Sequence, residues 1–203
     1  MIITYYGAAC FKVQSGETVI AFNPPSKKSE YKSPRFASDI VLVSSNHKDY
    51  NGWENLPGKA EGEKPFVADG NGEYEASGIY IKGIESNNHS NTVYTLSLEE
   101  VSICHLGALS KEMEPKLKED LGEIDILFIP IGGGDLLEPQ KAAGIAAHLG
   151  AKIVIPMNYN ESQLKQFVKE FGADGVAPAD KLTIKKKDLA EKKGEVVVLK
   201  SVV

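Results

Sequence analysis

The chain has 203 residues, 42% of them apolar, which is enough to bury a hydrophobic core as one domain. Its formal net charge of −5 and pI near 5.5 provide no attraction to nucleic acid or anionic membranes, so neither partner is expected. No segment approaches the roughly 20 apolar residues of a membrane span, and the first residues resemble a strand rather than a targeting signal. Cys10 and Cys104 lie in apolar sequence and are expected to be buried reduced thiols, which indicates a cytoplasmic protein.

The first half of the sequence is rich in short strand candidates. They contain many β-branched and aromatic residues and are separated by turn residues, a pattern typical of strands. The predicted strands are Ile2–Tyr6, Cys10–Gln14, Val19–Phe22, Asp39–Ser44, Pro65–Ala68, Ile79–Ile84, Thr92–Leu98 and Val101–His105. A lysine-containing stretch, Ser26–Pro34, is predicted to be a solvated loop rather than a domain linker.

The second half alternates strands with helices. Continuous apolar runs predict strands covered on both faces, and amphipathic segments bounded by Pro and Gly predict helices. The predicted strands are Ile126–Ile131, Lys152–Pro156 and Val196–Leu199, and the predicted helices are Glu138–Leu149 and Glu161–Phe171. Strands followed by a strand–helix–strand unit predict two mixed β-sheets packed face to face with helices outside, in one domain spanning residues 1–203.

The most informative stretch is an apolar strand that runs into the polar loop Ser45-Asn46-His47-Lys48-Asp49-Tyr50. This loop resembles the H-x-H-x-D-H metal-binding loop of the metallo-β-lactamase superfamily. In particular, the chain is similar to the small bacterial Zn-dependent hydrolases, or lactonase-like proteins, of that superfamily. Such a resemblance implies an α+β fold, the four-layer αβ/βα sandwich.

Further matches to motifs of that family occur in the same order along nearly the whole chain. They are Thr4–Phe11 (T-Y-x-G-H-[SA]-C-F), Ala21–Pro24 (a D-P turn), Val67–Glu75 (D-G-P-G-E-Y-E), Asn91–Tyr94 (N-T-[IV]-Y), Cys104–Leu109 (C-H-L-G-D-L), Ile129–Gly133 (I-P-[VI]-G-G) and Ile155–Tyr159 (I-P-M-H-Y). Chance agreement across all of these patches is very improbable, so the resemblance predicts the fold strongly.

The resemblance also implies a two-metal site, and here the chain departs from the family. One metal of the family is held by the first two histidines of the loop and a later histidine. The corresponding positions in this chain are Ser45, His47 and Asn88, with His89 one residue away.

The second metal position departs in the same way. The family holds this metal with the loop aspartate, the last loop histidine and the histidine of I-P-M-H-Y, and a bridging aspartate joins both metals. The corresponding residues here are Asp49, Tyr50, Asn158 and, at the bridge, Ala108, while Ala8 stands at a nearby family histidine. Because zinc sites need three or four ligands at about 2.0–2.3 Å, and each position keeps about one, the sequence predicts that the site is largely lost.

These substitutions lead to a prediction of no metal cofactor. The favoured function is a non-catalytic homologue that keeps a pocket for a small molecule or a protein partner, in which Ser45, Tyr50, Asn88 and Asn158 hydrogen-bond one another. The alternative is a hydrolase with a reduced site, in which one weakly bound zinc or other divalent ion is held by His47, Asp49 and His89. His47 and Asp49 are the only catalytic candidates, and an assembly subunit that acts through its surface is a third possibility. Whether the chain is an enzyme stays open at this point, as does its oligomeric state.

Simpler roles are expected for several of these residues. His47 is predicted to bond to Asp49, and Asp49 to cap backbone N–H groups of the turn. Ser45, His47 and Asp49 alternate along one short loop, whereas hydrolytic triads are assembled from separate segments, so a triad is not favoured. His105 is predicted to pack behind the site, and His148 to be solvated or stabilised by a helix dipole.

Two further clusters have plain interpretations. Gly132-Gly133-Gly134 lacks the lysine and hydroxyl of a phosphate-binding P-loop and is predicted to be a strand-to-helix turn near the pocket. Lys185-Lys186-Lys187 is predicted to be a solvated face, because no aromatic residues are interleaved for stacking on bases.

Overall fold

The computed structural model describes residues 1–86 and 90–203, which form two β-sheets, three α-helices and two 3₁₀ turns. The strands are β1 (Ile2–Tyr5), β2 (Phe11–Ser15), β3 (Thr18–Phe22), β4 (Ile40–Leu42), β5 (Phe66–Ala68), β6 (Gly72–Ala76), β7 (Ile79–Glu85), β8 (Thr92–Leu98), β9 (Val101–His105), β10 (Ile126–Pro130), β11 (Ile153–Met157), β12 (Leu182–Thr183) and β13 (Glu195–Val196). The helices are α1 (Pro115–Leu121), α2 (Pro139–Leu149) and α3 (Glu161–Glu170), and the 3₁₀ turns are Trp53–Asn55 and Lys186–Leu189.

Both sheets are mixed. The six-stranded sheet has the order β12-β1-β2-β3-β4-β5, in which β3, β4 and β5 are parallel and the other neighbours antiparallel. The seven-stranded sheet has the order β13-β11-β10-β9-β8-β7-β6, in which β13, β11, β10 and β9 are parallel. The predicted α+β sandwich of two mixed sheets is confirmed.

Alternation along the strands explains the layers. In β10, Ile126 and Phe128 belong to the core between the two sheets, whereas Leu127 and Ile129 belong to a second core under the helices. Successive side chains of a strand point to opposite faces, so this apolar run fills both layers. Helix α3 contributes the fully buried Phe167 to the second core.

The outer face of the six-stranded sheet is covered differently. Val41 and Val43 pack there against Leu56, with Phe36 and Trp53 over them, so a loop with a 3₁₀ turn forms this layer. The α-helices of the described residues pack on the seven-stranded sheet, and none of them is long and apolar enough to cross a membrane.

Most predicted elements are present with bounds shifted by a few residues. The sequence reading missed two substantial ones, β6 and α1. In β6, Glu73 and Glu75 face solvent, and in α1 only Leu117 and Leu121 are buried, so neither segment carries a strong apolar pattern. The asparagine that begins α3, Asn160, forms a reciprocal capping box with Gln163.

Candidate functional site

Loops that follow the strands meet at one edge of the sandwich. The loop after β4 is joined to the start of β8, because the Thr92 N–H donates to the Ser44 carbonyl at 2.8 Å. The segment after β11 is joined to the turn after β1, because the Asn158 N–H donates to the Ala8 carbonyl at 2.9 Å. Carboxyl ends of parallel strands are common positions for binding sites, and this edge holds the predicted site.

Tyr50 and Asn158 make the central polar contact of this edge. The Asn158 Nδ2 atom donates to the Tyr50 hydroxyl at 2.8 Å, and only 6% of Tyr50 is exposed. Burial raises the pKa of Tyr50 and keeps the phenol neutral. The Asn158 Oδ1 atom is buried and has no hydrogen-bond partner among the described residues, and Asn88, one of its predicted partners, lies outside them.

His47 and Asp49 lie on the exposed side of the same loop. The His47 Nδ1 and Asp49 Oδ2 atoms are 3.7 Å apart, which is longer than the predicted hydrogen bond. Instead, the Asp49 N–H lies 3.3 Å from Nδ1, and the Ser29 hydroxyl donates to Asp49 Oδ1 at 2.5 Å. Asp49 was predicted to cap backbone N–H groups, and its strongest partner is this serine from a distant segment.

Ala108 lies on a tightly packed turn. Its N–H donates to Asn91 Oδ1 at 2.6 Å, and Asn91 Nδ2 donates to the Leu106 carbonyl at 3.0 Å. A Cβ atom on Gly107 would lie 2.2 Å from Asn91 Oδ1 and 2.6 Å from the Ser44 Cβ. Asn91 therefore fixes the position of this turn. The Ala108 methyl group has no oxygen or nitrogen atom that could bind a metal ion.

Three residues at this edge have a backbone conformation that is rare for residues with side chains. Ala8, Asn23 and Asn158 have φ values of 49°, 43° and 54°, in the left-handed region that side-chain-bearing residues rarely adopt. Asn23 also pairs with the loop after β4, because its Oδ1 accepts from the Ser44 N–H at 2.7 Å. Backbone strain of this kind clusters at functional sites, which supports a function at this edge.

His105 lies behind the site, as predicted. It is fully buried between aromatic rings, stacked on Phe22 with ring centroids 5.0 Å apart. Its Nδ1 accepts from the Gly107 N–H at 3.0 Å and its Nε2 lies 3.2 Å from the Ala9 carbonyl, which assigns the proton to Nε2. Burial lowers the pKa of His105 to about 3, so the imidazole is neutral at physiological pH.

The remaining predicted positions divide into those the structure describes and those it does not. Asn88 and His89 lie outside the described residues. Ser45 is half-buried and has no hydrogen bond to His47 among the described contacts, so the disfavoured triad gains no support.

His148 is exposed, but its Nε2 accepts from the Lys118 ammonium at 2.6 Å, a contact that the sequence did not suggest.

The glycine cluster forms the predicted turn. The Gly133 N–H donates to the Leu137 carbonyl and the Gly134 N–H to Glu138 Oε1, so these groups are used within the turn. A Cβ atom on Gly132 would lie 2.4 Å from the Asn158 carbonyl oxygen, which explains why glycine borders the site here.

The donor atoms that the structure describes at this edge do not match a two-metal centre. Among residues 1–86 and 90–203, no three His, Cys, Asp or Glu side chains are grouped closely enough to hold a metal ion. At the predicted second position, the amide of Asn158 and the phenol of Tyr50 are bonded to each other, and a neutral phenol is a poor ligand.

Sequence and structural comparisons identify the family. The profile of the family described as the beta-lactamase superfamily domain matches residues 2–158. The chain belongs to this superfamily. A metal-dependent hydrolase of the UPF0173 family from Listeria monocytogenes is 26% identical over 195 residues, covering 79% of this chain and 86% of the relative. The metal-dependent hydrolase YtkL from Bacillus subtilis is 24% identical over 200 residues, with the same coverage.

A solved structure supports the same assignment. The crystal structure of a metallo-β-lactamase superfamily protein from Thermotoga maritima is 30% identical, with a TM-score of 0.77, and the match covers 98% of this chain and 97% of that protein. The predicted superfamily membership is thereby confirmed.

The prediction of no metal cofactor is wrong for a member of this family. Its relatives are named metal-dependent hydrolases, which implies a divalent metal cofactor. That prediction depended in part on Asn88 and on its neighbour His89, which fall outside the described residues. The donor atoms described above argue against a pair of metal ions, and they do not argue against a single ion.

Proposed function

We propose that this chain keeps the pocket of the metal-dependent hydrolases but uses it for binding a small molecule rather than for two-metal hydrolysis. The observation that carries this proposal is the hydrogen bond between Tyr50 and Asn158, the two positions where the family pattern has histidines. A neutral phenol and an amide that bind each other cannot also supply two nitrogen ligands to a metal. Ala108, at the position of the bridging aspartate, supports the same conclusion.

A second candidate function is hydrolysis with one metal ion. It is supported by His47 and Asp49, which are partly exposed and lie within 3.7 Å of each other, and by the names of the relatives. His89 would supply the third ligand. In this case the pocket would hold one divalent ion, and that ion would acidify a water molecule for attack on the substrate. In both cases we place the protein in the cytoplasm, where the free thiols of Cys10 and Cys104 stay reduced.

Metal stoichiometry tests the proposal. After equilibration with zinc and removal of unbound metal, we expect no more than about one ion per chain, because too few ligands remain for two. The triple variant Tyr50→His, Ala108→Asp, Asn158→His is expected to bind one more ion than the wild type. His148→Ala is the control and should leave the stoichiometry unchanged. Two tightly held ions in the wild-type protein, measured by elemental analysis, would refute the proposal.

The two candidates differ in the effect of His47→Ala. If the pocket only binds, wild type and variant should turn over lactone, phosphodiester and thioester substrates at the same background rate. If one metal performs hydrolysis, the variant should lose both the ion and the activity. Comparing turnover with metal content in the same samples therefore decides between them.

A further inference from the structure

A cavity of about 770 Å³ lies beside the site and is lined mainly by the segment between β3 and β4. Its walls are formed by Ser26, Lys27 and residues 29–35, together with Tyr6, Asn55, Val202 and Val203. The sequence predicted Ser26–Pro34 to be a solvated loop rather than a domain linker. In the structure this exposed loop also borders a concave surface.

Positive charge is concentrated on this surface. Lys27, Lys32 and Arg35 line the cavity, and their side chains have no hydrogen bond or ion pair among the described contacts. Arg35 is the only arginine of the chain. One carboxylate side chain, Glu30, and the terminal residue Val203 also border the cavity. The lining therefore carries three exposed cationic side chains against one anionic side chain, in a chain whose net charge is −5.

Hydrogen bonds attach this wall to the loop that follows β4. The Ser29 hydroxyl donates to Asp49 Oδ1 at 2.5 Å, and the Ser26 N–H donates to the Lys48 carbonyl at 2.8 Å. A group bound in the cavity would therefore lie next to the predicted site and be held in a fixed position relative to it.

Tyr31 connects the cavity to the pocket at Asn158. Its side chain borders the basic cavity and also a second one of about 580 Å³, which Asn158 lines together with Tyr5 and Tyr159. An elongated small molecule could occupy both cavities, with one end among the cations and the other near the strained Asn158.

The chemistry of these groups points to an oxyanion. An arginine guanidinium presents a fork of N–H donors that matches the two oxygens of a carboxylate or phosphate, and lysine ammonium groups add point charges. The Ser26 hydroxyl, which accepts from the Lys28 N–H, can donate a further hydrogen bond, whereas the Ser29 and Ser33 hydroxyls already donate to Asp49 and to the Pro25 carbonyl. We propose that this cavity binds the phosphate or carboxylate group of a small anionic ligand whose remainder extends past Tyr31 toward Asn158. This inference rests on the ligand-binding role proposed for the pocket.

Calorimetric titration with inorganic phosphate, and separately with acetate, tests the inference. We expect saturable binding of at least one of the two anions by wild-type protein, and Arg35→Gln to weaken it at least about tenfold, since a charge-assisted contact is lost. Arg35→Lys should recover only part of the affinity, because lysine lacks the fork. The anion that binds more tightly identifies the ligand group. Binding of neither anion would overturn the inference.

Two controls distinguish specific anion binding in the cavity from non-specific charge attraction and from binding through a metal ion. Lys187→Gln removes one positive charge from another exposed basic cluster and should leave anion affinity unchanged. If it weakens binding as much as Arg35→Gln, the attraction is non-specific and the inference fails. Titrations are repeated after EDTA dialysis, where binding should persist. If anion binding disappears when the metal is removed, the anion is a metal ligand and the inference is wrong. That result would not contradict the metal stoichiometry expected for the proposed function, so the two can fail separately.

Discussion

Replacing His105 with leucine is expected to lower the free energy of unfolding by about 2–4 kcal/mol at pH 8, because two buried hydrogen-bonding groups lose their partner. Those groups are the Gly107 N–H and the Ala9 carbonyl, which bond the two nitrogens of the ring. Leucine fills a similar volume between Phe22 and Phe128, so the loss should come mainly from these polar groups.

The same substitution should make the protein less sensitive to acid. The pKa of His105 falls from 6.5 to about 3 on folding, so between these values the unfolded chain takes up a proton that the folded chain cannot accept. Wild-type stability therefore rises with pH across this window and falls by about 1.4 kcal/mol for each pH unit below 6.5. His105→Leu lacks this contribution. Its deficit at pH 8 should shrink by about 2 kcal/mol between pH 6.5 and pH 5, where the lost proton linkage offsets half or more of the lost bonds.

Urea unfolding of both proteins at pH 8, 6.5 and 5 measures this difference. His148→Gln is the control for removing a histidine from the surface, because His148 is exposed, and its free energy of unfolding at pH 8 should stay close to that of the wild type. A constant difference between wild type and His105→Leu at all three pH values would show that His105 titrates normally in the folded protein.

The sequence predicted the sheets well because their signals are local. The run Ile126–Pro130 is apolar at every position, and such a run fits a strand buried on both faces. Helix α1 was not predicted, because only two of its residues, Leu117 and Leu121, are buried and charged residues surround them. Solvent-exposed loops show the same pattern. Tertiary packing, rather than propensity, determines such an element.

The candidate site was only partly predictable. Tyr50 and Asn158 are separated by 108 residues in the chain, and only the family resemblance placed them together. No local pattern indicates that Ser29 would bind Asp49, or that Arg35 would line a cavity near them. Such contacts depend on how two loops pack, which periodicity and spacing do not encode.

A pair of glycine-to-alanine substitutions should have opposite effects, and the first concerns the turn that carries Ala108. Gly107→Ala is expected to destabilise the fold by more than about 3 kcal/mol, because overpacking and backbone strain add together. Gly107 has a φ of +62°, and the new methyl group would lie within 2.2–2.6 Å of Asn91 and Ser44. The Asn91 Oδ1 atom accepts a hydrogen bond from the Ala108 N–H, and the Ser44 hydroxyl accepts one from Asn23 Nδ2. Neither side chain can therefore move aside without breaking a hydrogen bond.

Gly144→Ala is the matched control in helix α2. No atom lies within 4 Å of the position that its Cβ would occupy. Alanine there should stabilise the protein by about 0.5–1 kcal/mol, because it restricts the unfolded chain and favours the helix. Thermal and urea unfolding of both variants measure the contrast. If Gly107→Ala unfolds at the wild-type midpoint, the turn after β9 has more room than these contacts allow, and the close approach of Gly107 to Ser44 and Asn91 would have to be revised.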